Sequence, residues 1–232
     1  MAFRAQVKVI CDLYAQAPAL LATGMPVISS DEMTGIQALE RAYPTATVQM
    51  GQVERQEYEY SRHGTPSLIA SWQVATGTVL TPSIAATRNE ADCAAHIAQT
   101  IATDPQAGWI VMLDQLNTHK SATLVRLVDR LCDLKLDLGE KEQAGRLQSM
   151  PTRAAFLSDP THRIRFVYVP KHSSWLNQIE YWFSILVRRL LKRGHFTSTH
   201  ALRQQVLDFI AYFNRTLAKP FNWKFKGFPE LD

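Results

Sequence analysis

Apolar residues recur along this chain in two rhythms, one helical and one extended. Leu176, Ile179, Phe183, Leu186 and Leu190 return at steps of three or four, the period of one buried helix face. Ser173 or Ser174 offers that helix an N-cap. Just upstream, Arg163 to Val169 is β-branched and aromatic and stops at Pro170, so it reads as a strand. Glu180 breaks the tidy division of faces. In helical projection it falls between Val187 and Leu191, at the margin of the apolar stripe. A partly desolvated carboxylate there needs a cation. Arg188, Arg189, Lys192 and Arg193 follow one or two turns along the same predicted helix.

The remaining pattern predicts alternating strands and helices. A helix spans Ala2 to Leu21 with Val7, Ile10, Leu13 and Tyr14 on one side, and a short strand covers Pro26 to Ser30, with Asp31 and Glu32 at its C-terminal end. Gly35 to Tyr43 fits either a loop or a helical turn. Ser67–Val74 and Thr78–Ile84, split by Gly77, form a hairpin. Asn89 to Thr103 is helical with Cys93, Ile97 and Ile101 inward. Trp109 to Leu113 is an uninterrupted apolar run, the mark of a strand buried on both faces, and Asp114 ends it. Ser121 caps a helix carrying Leu124, Leu127, Val128 and Leu131, whereas from Lys135 to Pro160 the periodicity fails and an insertion or long loop is expected. A last helix runs from about His200 to Leu217, followed by a Pro220–Trp223 tail. The order implies one α/β domain over residues 1–232, with a mixed sheet covered on both faces.

Composition changes this picture little. A hydrophobic content of 46% and a charged content of 20% are those of an ordinary globular domain. No run is long enough to cross a membrane and no signal peptide pattern opens the chain, so a cytoplasmic protein is expected. Cys11, Cys93 and Cys132 are scattered and unpaired in spacing, against a disulfide framework or structural zinc. Charge matters by placement. From Arg188 to Arg203 the chain has Lys and Arg but no acid, which suits a polyanion or, more blandly, a solvated helix face.

Three acids then stand out together. Asp31 and Asp114 end predicted strands, where binding sites collect in open α/β sheets, and Glu180 comes from a helix packed on that sheet. Singly, each reads as a turn residue, a cap or a solvated helix acid. Clustered, they cannot all stay ionised without a cation, and hard oxygen donors favour two Mg²⁺ or Mn²⁺ ions of the kind that promote phosphodiester chemistry.

Four segments carry a resemblance. Val27–Gln37 (VISSDEMTGIQ), Tyr60–Thr65 (YSRHGT), Val111–His119 (VMLDQLNTH) and Val169–Glu180 (VPKHSSWLNQIE) are similar to bacterial insertion-sequence transposases of the Tc/mariner superfamily, in order and over nearly the whole chain. The resemblance implies an RNase H-like fold of the DDE integrase and transposase type. It implies Asp31, Asp114 and Glu180 as catalytic metal ligands, with the first of the two adjacent acids preferred over Glu32. His119 matches a family histidine five residues after the second Asp, and Gln115 stands where Asn is usual, as an amide beside the metals. The interval from Asp114 to Glu180 is longer than usual for the superfamily, by the stretch at about 135–160. The helix-turn-helix region that such proteins carry at their N-terminus has no counterpart here, so the catalytic half alone is expected.

The function expected is metal-dependent DNA cleavage and strand transfer. Its partners would be transposon-end and target DNA and a second copy of the chain on that DNA, with no membrane partner, in a bacterial cytoplasm at the nucleoid. Lys171, His172, Arg188, Arg189, Lys192 and Arg193 are the expected phosphate contacts. Two alternatives stand: an inactive or truncated transposase serving as a DNA-binding or assembly module, and an RNase H-like nuclease.

Overall fold

Residues 2–43 and 59–228 are described by a computed structural model of the chain. Its centre is the all-apolar run of the sequence. The strand Trp109–Leu113 is buried at every position and lies between two parallel neighbours, Val27–Met33 and Ile164–Tyr168. A continuous apolar strand is stable only where both faces are covered, and here helices cover both.

In chain order the elements are α1 (Ala2–Ala22), β1 (Val27–Met33), β2 (Leu39–Arg41), β3 (Tyr60–Arg62), β4 (Ser67–Gln73), β5 (Thr78–Ala85), α2 (Glu90–Ile101), β6 (Trp109–Leu113), α3 (Ala122–Leu131), α4 (Met150–Leu157), β7 (Ile164–Tyr168), α5 (Gln178–Arg189) and α6 (Thr199–Thr216). The main sheet has the order β5-β4-β1-β6-β7, in which β4 and β5 are antiparallel and β1, β6 and β7 parallel. Helices α1, α5 and α6 share one apolar cluster, and α2 and α3 share the other with Phe156 and Leu157 of α4. This is the mixed sheet flanked by helices that the sequence implied. Gly77 closes the β4–β5 turn at a φ of 71°, and a Cβ there would lie 2.0 Å from the Lys219 carbonyl oxygen. The turn therefore requires glycine for both conformation and contact with the C-terminal segment.

Four expectations need correction. Strand β1 continues past Ser30 to Met33, so Asp31 and Glu32 lie inside it, because β4 goes on pairing with it through Met33. Gly35–Tyr43, expected as a loop or helical turn, contains β2, which pairs with β3. Its partner is distant in sequence, so no local rhythm announces it. The stretch at 135–160 is not a bare loop: α4 occupies Met150–Leu157 and packs against α3 and β7. Met150-Pro151 reads as a breaker, yet proline suits a first turn, and Ser149 and Thr152 complete a capping box around it. Last, α5 begins at Gln178 with Asn177 as its N-cap, not Ser173 or Ser174, which belong to the lead-in to a 3₁₀ turn over Ser174–Leu176. It ends at Arg189, so Lys192 and Arg193 sit on a separate 3₁₀ turn.

On α2, His96 is buried against the sheet. Its Nε2 lies 2.8 Å from Ser71 Oγ, which donates to Ser30 Oγ at 3.1 Å, and this orders the ring as a neutral donor. Burial pushes its pKa down to about 4. The unfolded chain therefore binds a proton that the native state refuses. His96 stabilises the fold fully above about pH 6.5, and the benefit shrinks as pH falls toward 4. Urea unfolding at pH 7 and pH 4.5 should show the wild type's lead over a His96→Gln variant narrowing by roughly 2–3 kcal/mol. An unchanged gap would mean that the native ring accepts the proton.

Candidate active site

Side chains alternate across β1, and the alternation sorts the two adjacent acids. Ser29 and Asp31 face α5, where Ser29 Oγ accepts from Ile179 N at 2.9 Å and donates to Asn177 Oδ1. Ser30 and Glu32 face the other layer, with Ser30 near His96 and Glu32 against His119. Asn177 is wholly buried and bridges the two elements. Its Nδ2 donates to Ser30 O at 3.2 Å and to Asp31 Oδ2 at 2.9 Å. Having no capping bond to its own helix, Asn177 spends its side chain on β1. Asp31 Oδ1 accepts from Glu32 N at 2.8 Å.

Asp114 leaves the end of β6. The parallel register pairs Ser29 with Met112, and carried two residues further it sets Asp31 level with Asp114. Asp114 Oδ1 accepts from Leu116 N at 2.8 Å and lies 2.6 Å from His119 Nδ1. His119 sits on a 3₁₀ turn over Asn117–Lys120, is 1% exposed, and presents Nε2 to Glu32 Oε1 at 3.2 Å. With a carboxylate at each nitrogen, the ring makes both bonds only as a doubly protonated donor. Gln115 points away from the acids. Its Nε2 donates to Val169 O at 2.8 Å and its Oε1 accepts from Lys120 Nζ, so it fastens the end of β6 to the end of β7.

Glu180 lies in the first turn of α5, half-buried. The arginines further along do not pair with it: Arg188 Nε donates to Ser184 O at 3.1 Å. The electrostatic neighbours of Glu180 are the other acids, and the negative charge of Asp114 is felt at its carboxyl. Ligand atoms of Asp31, Asp114 and His119 all lie within 4.8 Å of one another.

The electrostatics are those of crowded acids. Burial, then the charge of Asp114, raises the Asp31 pKa to about 7. Burial and Asp114 also raise Glu180. Burial would raise Asp114 too, but its bonds from His119 and Leu116 N bring it below the ordinary carboxylate value. For His119 burial opposes the charge, and the hydrogen bonds to Asp114, Cys93 and Glu32 prevail and hold it well above 6.5. Two protonatable acids beside one ionised acid form a set that a divalent cation would deprotonate and occupy. The donors are hard oxygens, suited to Mg²⁺ or Mn²⁺. His119 has both nitrogens committed to carboxylates, which makes it a support for Asp114 in preference to a ligand.

The predicted phosphate contacts divide. Arg188 lines a cavity of about 560 Å³ with Glu180, Glu32, Phe183 and Val187, so it shares a groove with the acids. Arg189 lines a neighbouring cavity with Trp72, Phe213 and Lys219. Lys171 and His172 are exposed on the β7–α5 loop, where His172 adopts a φ of 61°, and Lys192 and Arg193 stand beyond the end of α5. Sequence reasoning missed Asn177, though a polar residue just before an apolar helical stripe is a cap signal. It also missed Lys120, which carries no signal of its own.

A mixed five-stranded sheet flanked by helices, with acids on its first strand, just past a central parallel strand and on a following helix, has the layout of an RNase H-like domain. Residues 26–203 match the model of the DDE superfamily endonucleases, and the chain belongs to that family. Similar folds include the catalytic domain of Mos1 mariner transposase (TM-score 0.53, 11% identity, 91% of this chain and 82% of that one). A second is the Mos1 mariner paired-end complex with Mn (TM-score 0.53, 12% identity, 91% and 56%). A third is the Mos1 catalytic domain with raltegravir and Mg (TM-score 0.52, 10% identity, 91% and 83%). At these identities the likeness is one of fold. The chain spans about half the length of the Mos1 transposase in its complex with the left transposon end, where 55% is covered. No curated protein sequence matches the chain.

Removing the Asn177 side chain leaves Ser29, Ser30 and Asp31 short of buried partners. Asn177→Ala should lower unfolding stability by about 2–3 kcal/mol in urea titration. A loss under about 0.5 kcal/mol would mean that these groups find other partners.

Proposed function

We propose that the chain is the catalytic domain of a Tc/mariner-type insertion-sequence transposase, cutting and joining DNA strands with two divalent metal ions. The observation that carries this reading is that ligand atoms of Asp31 and Asp114 lie within 4.8 Å of one another beside His119, with Glu180 on the first turn of α5, which packs on β1. Membership of the DDE endonucleases supports a metal-dependent nuclease. The Mos1 structures that share the fold include a strand transfer complex, which supports strand transfer here.

Asp31, Asp114 and Glu180 would hold Mg²⁺ or Mn²⁺. Bound there, the ions would supply an activated water or 3′-hydroxyl and stabilise the leaving oxygen. The protein's own part is positioning. Asn177 fixes the Asp31 carboxylate, His119 and Leu116 N fix that of Asp114, and the first turn of α5 presents Glu180. Lys171, His172, Arg188, Arg189, Lys192 and Arg193 would contact phosphates of transposon-end and target DNA, on which two copies of the chain would assemble. A bacterial cytoplasm, at the nucleoid, is the setting that this activity would need.

Asp114→Asn should keep the fold and abolish Mg²⁺-dependent nicking of plasmid DNA, because an amide is a poor metal ligand and a charge is lost. Asp31→Ala should be equally inactive, while Glu32→Ala retains partial activity because Glu32 is bonded to His119 and not to the N-cap of α5. Nicking by Asp114→Asn at the wild-type rate would place the metals elsewhere. The reverse order at residues 31 and 32 would move the first ligand by one position.

DNA affinity follows from the same surface. If about four phosphates are neutralised, log affinity should fall against log salt with a slope near −4. Replacing Arg188 and Arg189 together by Ala should make that slope shallower by about two units without changing metal binding. An unaltered slope would put the DNA on another face.

A further inference from the structure

Beyond α6 the chain runs back across α1 and α5 as an irregular strap. Along residues 221–228 burial alternates: Phe221, Trp223 and Phe225 turn inward, while Asn222, Lys224 and Lys226 turn out. The inward rings hold the strap down. Phe221 stacks on Trp72 with centroids 4.5 Å apart, and Trp223 meets Tyr14 edge-on at 5.0 Å. Anchoring accounts for those rings but not for two others. Trp175 and Tyr181, on the 3₁₀ turn and first turn that lead into α5, remain 41% and 43% exposed. They line an open cavity of about 330 Å³ with Phe221, Trp223, Asn222 and Lys224. Tyr181 meets Phe221 and Trp223 at 5.9 Å each, and Trp175 meets Phe225 at 5.4 Å, so the rings are braced by the strap.

The segment that carries the strap has charge of one sign. From Phe209 to Phe228 the chain has Arg215, Lys219, Lys224 and Lys226 and no acid. Lys171, Lys224 and Lys226 are exposed, and no salt bridge involves them among the described residues. Flat aromatic faces interleaved with lysines are what a single nucleic-acid strand requires, rings for the bases and cations for the backbone. The position fits as well. Tyr181 follows Glu180 directly in the first turn of α5, and Trp175 lies two residues before Asn177, whose amide holds Asp31. Asn222 adds an amide donor and acceptor for a base edge.

We infer that Trp175, Tyr181 and the C-terminal strap form a stacking site for an unpaired nucleobase of a DNA strand lying at the candidate active site. The inference rests on the nuclease reading for its ligand, and its test does not use cleavage. Purified protein without added metal is titrated by fluorescence anisotropy with labelled single-stranded oligothymidylate, the same strand made abasic, and a duplex of equal length. The wild type should bind the thymidylate strand roughly tenfold more tightly than the abasic one, since stacking contributes at that level per base. Trp175→Leu with Tyr181→Leu keeps apolar area but removes the flat faces. It should erase the preference and leave duplex affinity within about twofold, whereas Trp175→Phe with Tyr181→Phe should keep the preference. Equal affinity of the wild type for the base-bearing and abasic strands would overturn the inference, as would a preference that survives in the leucine pair. If the leucine pair instead abolishes a dimer in sedimentation while no base preference exists, the aromatic face joins two copies of the chain and the inference is wrong. A chain that stacks bases yet fails to nick DNA refutes the catalytic reading and leaves this one standing.

Discussion

A strand shows successive side chains to opposite faces, and on β1 this single constraint separates two acids that sequence alone places side by side. Asp31 is turned to α5 and its N-cap, Glu32 to the layer containing His119. From that division the rest of the site follows. The α5 side collects Asp31, Asp114 and Glu180, and the opposite side supplies a buried histidine that braces Asp114 from behind. A one-residue slip of β1 against β4 would exchange the two acids and move Ser29 away from Asn177. The register is therefore fixed from both layers at once, by Ser29 and Asn177 on one face and by the Ser30–Ser71–His96 chain on the other.

The arrangement works against itself electrostatically. Asp31 is lifted to about 7 and Glu180 is raised, while Asp114 is lowered by the charged ring beside it. Burial and the neighbouring charges push Asp31 and Glu180 toward their neutral forms, and a bound cation would relieve the repulsion directly. Such a site is a poor contributor to stability and a good one to ion affinity. The buried network around Asn177 offsets part of the strain, which is why a residue with no chemistry of its own becomes critical to the geometry.

Much of this was legible in the sequence. The 3.6 period gave the main helices, the turn glycine gave the β4–β5 hairpin, and apolar or β-branched runs gave β6 and β7, because those elements bury one face or both. Asp114 stood out because it follows an all-apolar strand, whereas Asp31 was read at a strand end and lies inside β1. What escaped notice lacked local pattern. Strand β2 exists through a partner, β3, far along the chain. Helix α4 opens with a proline that is acceptable in a first turn. The cap of α5 fell three or four residues later than expected, because Ser174–Leu176 tightens into a 3₁₀ turn before the helix starts. That shift is consequential, since it frees Asn177 to reach β1 and places Glu180 in the first turn rather than mid-helix.

Helix α5 is thus an element with three surfaces. Its buried stripe, Ile179, Phe183 and Leu186, sits in the core beneath the sheet. Its first turn delivers Glu180 to the other acids, and its last turn carries Arg188 and Arg189. Because these lie on one rigid rod, the acids and the cations are held at a fixed separation that no loop could maintain. Twelve residues at 1.5 Å each make that rod about 18 Å long, and its break at Leu190 sends Lys192 and Arg193 off in a new direction. The two groups of cations, adjacent in sequence, lie on different elements because a helix ends between them.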